Sequence, residues 1–138
     1  MPRKFSFGKP ARAALAFAAA AGVTLFPLQA LADAHSEIVN AGMHAGLAAQ
    51  SADINGVHTH LHHTLNCLVG PKGTGFDAKE LNPCVNAGNG AISDTTDAAK
   101  KASLEAAANT TRAGLAATDL TTAKKAATDA ETALKAMK

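Results

Sequence analysis

Between Ile54 and Leu68 the apolar residues Ile54, Val57, Leu61, Leu65 and Leu68 recur at intervals of three and four. That spacing lays one apolar stripe along one side of an α-helix and predicts a helix that packs by this stripe against a partner. From Ser93 to the end the chain is rich in alanine, a strong helix former. Here Ala99, Ala102 and Ala106, then Leu120, Ala123, Ala127, Ala130, Leu134 and Met137, keep the same three-four spacing. This predicts a helix-packing seam of small residues and therefore close helix approach. Ser93 or Asp94 suits the N-cap, with Asp97 in the first turn.

The two helical regions are related by an internal repeat. Ala45-Gly46-Leu47-Ala48-Ala49 recurs as Ala113-Gly114-Leu115-Ala116-Ala117, followed in the second copy by a turn shorter by two residues. Asp53-Ile54 then corresponds to Asp119-Leu120, Val57 to Ala123, Leu61 to Ala127, Leu68 to Leu134 and, upstream, Glu37 to Glu105. An aspartate after each turn is a ready N-cap for a new helix. The expected fold is all-α: a four-helix bundle made of two repeated hairpins, residues 35–69 and 93–138, with a long loop over 70–92 between them.

The first residues differ in character. Arg3, Lys4, Lys9 and Arg12 stand without an acid before the apolar run from Ala13 to Phe26, and small residues follow in Ala30-Leu31-Ala32 and Ala32-Asp33-Ala34. This is the pattern of a secretory signal peptide over residues 1–32, with a cut after Ala34 as the alternative. The apolar run is shorter than the roughly 20 residues of a spanning helix, so no membrane attachment is expected after cleavage. Residues 33–138 then form one domain in the periplasm or outside the cell. The leader holds four of the thirteen basic residues and none of the eleven acids. The remainder is slightly acidic, with Phe76 its one aromatic residue. A nucleic-acid partner is disfavoured, because neither a basic stripe nor a stacking platform remains.

Two cysteines in an exported chain read as one disulfide, Cys67–Cys84, tying down a segment that holds five glycines and two prolines between Gly70 and Gly90. Chemistry concentrates just before it, since the eleven residues from Val57 to Cys67 contain four of the six histidines. On the helical wheel His58 and His62 fall along one edge of the apolar stripe, with His60, His63 and Cys67 on the more exposed side. The i,i+4 and i,i+3 imidazole pairs are close enough to converge on an ion, and imidazole suits Zn, Cu, Ni and Fe. The expected ligands are His58 and His62. His60, His63 and His44 are helpers, His44 being placed level with His58 across the first hairpin. At the equivalents of His58, His60, His62, His63 and His44 the second repeat has Lys124, Ala126, Thr128, Asp129 and Arg112, so the fold does not need these imidazoles. No nucleophile elbow, phosphate-binding loop or HExxH motif is present, and an enzyme is not expected. Non-covalent haem, with Met43 or His44 facing His58 or His62, ranks below a simple ion. The competing class is an interaction module whose loop around Phe76 meets a partner.

An exported, alanine-rich helical bundle with histidines grouped in VHTHLHH resembles the small periplasmic metal-binding proteins of proteobacteria, which implies binding of Cu, Ni or Zn. The mature start Asp33-Ala34-His35 is similar to the amino-terminal copper- and nickel-binding motif of serum albumins. That likeness implies a square-planar site through His35 if cleavage follows Ala32.

Overall fold

The computed structural model describes Pro2 and residues 33–138; the expected signal peptide lies outside the described residues. Among the described residues all regular structure is helical: α1 (Ala34–Gln50), α2 (Ile54–Val69), a single-turn α3 (Ala91–Asp94), α4 (Ala98–Ala116) and α5 (Leu120–Lys135). None of these helices is long and apolar enough to cross a membrane. The four long helices form a bundle in which α1 packs on α2 and α5, and α4 on α5 and α2.

Aspartate starts every long helix. The side chains of Asp33, Asp53, Asp97 and Asp119 accept the backbone N–H groups of Ser36, Gly56, Lys100 and Thr122, each satisfying one donor that the first turn leaves free. The N-cap of α4 is therefore Asp97, not Ser93 or Asp94. Those two residues belong to α3, which the extended Thr95 ends, while Asp94 accepts the N–H of Asn89 at 2.6 Å.

The α1–α2 and α4–α5 connections correspond closely. Both are three residues long, and in each the first loop residue donates its N–H three residues back, Ser51 to Ala48 and Ala117 to Gly114. The two-residue difference between the sequence copies thus lies in the last turn of α1 and not in the turn itself.

The stripe of α2 is buried as its spacing predicts, with Val57, Leu61, Leu65 and Leu68 inside. In α5, Ala123, Ala127, Ala130 and Leu134 are inside too. The α4 seam is different: Ala99, Ala102 and Ala106 face solvent, and Leu104, Ala107, Ala108, Thr111 and Gly114 are buried. Alanine occurs all round this helix, so its spacing does not mark a face; the bulk of Leu104 and the close approach at Gly114 do.

The Cys67–Cys84 disulfide is present, with Cα atoms 5.2 Å apart, and it draws the segment after α2 back over that helix. Phe76 packs on the core instead of facing outward. Near the start of α1 the buried Glu37 accepts the Gly90 N–H at 2.8 Å through Oε1, while its Oε2 is buried without a partner.

Candidate metal centre

The centre is built from the register between α1 and α2. Thr64 donates its hydroxyl to the Ala41 carbonyl of α1 and the His60 carbonyl of its own helix, at 3.3 and 2.9 Å, which fixes the two helices at this level. His44 of α1 is thereby set opposite His60 and His63, one turn apart on α2. The three ring centroids are 5.6, 5.0 and 5.5 Å apart. His44 and His63 are buried, at 9 % and 8 % exposure, and His60 is half-buried.

One nitrogen from each ring can be chosen so that all three lie within 4.8 Å of one another. Nitrogens bound tetrahedrally to a metal at about 2.0–2.1 Å stand roughly 3.4 Å apart. His44 Nδ1 and His60 Nδ1 are already 3.4 Å apart. Three histidines of this chain therefore lie close enough to hold a metal ion. Electrostatics favours the ligating form. The His44 imidazole is lowered to about 4, first by burial and then by His63 and His60. His63 is lowered by burial and by His60, against the pull of Glu80. Both are thus neutral at pH 7, with a lone pair available and no proton to displace from it.

The other histidines lie elsewhere. His58 donates its Nε2–H to the Ala117 carbonyl at 3.1 Å, closing the C-terminal end of α4. His62 has Nδ1 3.8 Å from Asp77 Oδ2. The pair expected from the wheel is thus directed to two different neighbours, and His44 is level with His60 instead of His58. His63 and Cys67, placed on the exposed side by the wheel, are buried because the disulfide-tied segment covers that side of α2. Of the residues considered for haem, Met43 is half exposed and His58 is held on α4. His35 is exposed at the start of α1, nine residues or about 13 Å along the helix from His44. Asp33 beside it donates its N–H to the Ala87 carbonyl at 2.9 Å and caps α1.

Glu80 and Asp77 are the residues that sequence reasoning passed over. Glu80 Oε2 lies 3.8 Å from His63 Nε2, matching the position of Asp77 beside His62. Acids in a glycine-rich loop carry no periodic signal. A cleft of about 750 Å³ opens elsewhere, between Lys72, Ile92, Lys101 and Arg112, and no histidine lines it. Comparison with protein-family models, with curated proteins and with solved structures gives no match for this chain.

Proposed function

We propose that the protein binds a divalent transition-metal ion, Zn, Cu or Ni, through His44, His60 and His63, as a binding or buffering protein and not as an enzyme. The observation that carries this reading is the convergence of three imidazoles from two helices within 4.8 Å. Two of them are buried and kept neutral by that burial. Three imidazoles leave a fourth position open, and His60 is the most exposed of the three. The disulfide fits an oxidising compartment, and with the basic-apolar leader it supports a periplasmic or secreted location.

We also read the two halves as copies of one hairpin. The shared AGLAA segment, the equal three-residue connections and the matching Asp53 and Asp119 caps support this. In the second copy the three ligands are replaced by Arg112, Ala126 and Asp129. The bundle geometry does not require them, and their presence in the first copy calls for another reason.

Calorimetric titration of the protein, purified from the periplasm of an expression host, with zinc, copper and nickel salts tests the reading. His44→Ala and His63→Ala are each expected to weaken binding at least tenfold, whereas the His58→Ala/His62→Ala double variant retains it. Binding lost in the double variant but kept in His44→Ala and His63→Ala would return the site to His58 and His62. No heat in any titration would leave the imidazoles without this role.

A further inference from the structure

The segment after α2 presents one carboxylate to the histidine centre and is anchored on both sides of it. Asn66, fully buried on α2 and one turn beyond His63, donates its Nδ2 hydrogens to the carbonyls of Asp77 and Leu81 at 3.0 and 3.2 Å, and accepts the Asp77 N–H at 2.9 Å. Within this clamp the Asp77 side chain accepts the Lys79 N–H and its carbonyl accepts the Glu80 N–H. Three residues beyond Leu81 the chain is bonded through Cys84 to Cys67, the neighbour of Asn66 on α2. The turn that carries Glu80 is therefore fixed to the same helix as His60 and His63. Its carboxylate stops 3.8 Å from His63 Nε2, and the opposite nitrogen of that ring, Nδ1, is buried with no hydrogen-bond partner.

We propose that Glu80 is the positioning carboxylate of the histidine centre: it holds the proton of His63 on Nε2 and so dedicates Nδ1 to the metal ion. This rests on the metal-binding reading above. The chemistry follows from the geometry. A neutral imidazole carries one N–H and one lone pair, and which nitrogen has which is set by what the other edge faces. A carboxylate can only accept, so the edge facing Glu80 keeps the hydrogen. Contact with a carboxylate also raises the basicity of the opposite nitrogen, and such partners are typically worth 10–100-fold in metal affinity. At 3.8 Å the pair is longer than a hydrogen bond, and contacts of this kind tighten when the partner ligand is engaged. Glu80 itself is outside the group of atoms that can share one ion, which makes it a partner of a ligand and not a ligand.

The test compares wild type with Glu80→Ala, Glu80→Gln and, as control, Glu105→Ala, which removes an exposed carboxylate of α4, by zinc titration. It adds nitrogen-15 imidazole spectra of the metal-free proteins, and circular dichroism to verify the fold. Expected are a 10–100-fold weaker zinc site in Glu80→Ala with the stoichiometry kept, partial rescue in Glu80→Gln, whose amide oxygen can still accept, and little change in Glu105→Ala. The wild-type spectrum should show His63 as the Nε2–H tautomer, and Glu80→Ala a shift toward the other form. Unchanged zinc affinity and an unchanged tautomer in Glu80→Ala, alongside lost binding in His63→Ala, would overturn the role of Glu80 and leave the metal site standing. A wild type that binds none of zinc, copper and nickel would overturn the metal reading; the tautomer shift would then decide the Glu80–His63 coupling by itself.

Discussion

Two buried residues set opposite slopes in the dependence of stability on pH. The Glu37 carboxyl is pushed up to about 7, chiefly by burial, with Asp94 adding and the Gly90 N–H opposing. Unfolded, it titrates at its ordinary value near 4.5. Between these values the folded chain holds a proton that the unfolded chain has released. This stabilising contribution is complete below 4.5, declines as pH rises, and is gone above about 7. His44 acts in reverse: its imidazole titrates near 4 when folded and near 6.5 when unfolded. The unfolded chain takes up the proton first, and stability declines as pH falls from 6.5 toward 4. Glu37→Gln removes the first slope, because an amide does not titrate. Its stability relative to wild type is therefore expected to rise steadily from pH 4.5 to 7 and then level off, as read by denaturant titration across that range. A difference that does not vary with pH would mean that Glu37 is ionised in the fold throughout.

Along the helices, identical sequence elements meet different surroundings. Gly46 and Gly114 hold the same place in the two AGLAA segments. A Cβ at Gly114 would come within 2.6 Å of Leu61 Cδ1, in the packed interior, and 3.0 Å of Ala126 Cβ, a side chain with no room to turn away. At Gly46 it would meet only the carboxylate end of Glu131, 2.7 Å away, on a flexible side chain that pairs with Lys135 at the surface. Gly114→Ala is expected to destabilise by about 1–3 kcal/mol through overpacking. Gly46→Ala should be neutral or gain up to about 1 kcal/mol from helix propensity, both read by thermal or denaturant unfolding. If both cost the same, α4 does not approach α2 and α5 as closely as the structure has it. The same contrast explains what the sequence could reveal. Leucines and valines spaced along α2 define its buried face, since each large apolar group must leave water. The alanines of α4 lie on every side and define none, so Ala99, Ala102 and Ala106 read as a seam although they face solvent. For the histidines the wheel gave directions on α2 correctly only where nothing else covered the helix. The register of α1 against α2, set by Thr64, and the return of the loop over His63 depend on contacts far apart in the chain. His44 thus meets His60 and His63 by tertiary structure alone.

For the molecule as a whole, the disulfide joins stability to the geometry of the histidine centre. Replacing Cys67 and Cys84 by alanine opens a covalent loop of sequence separation 17, for which the chain-entropy model assigns about 3 kcal/mol. The four long helices keep their caps and their mutual packing, so far-UV circular dichroism should remain helical while the unfolding midpoint drops. The turn holding Glu80 then relies on Asn66 alone, and its carboxylate spends less time beside His63. Zinc affinity is therefore expected to fall no further than in Glu80→Ala, because His44, His60 and His63 are positioned by α1 and α2 and not by the loop. Combining the cysteine replacements with Glu80→Ala should cost no more affinity than Glu80→Ala alone, since both act through the same contact; independent effects would instead add. A combined loss equal to the sum of the two would show that the disulfide supports the ligands directly, through the last turn of α2, and that the loop is more than a carrier for Glu80.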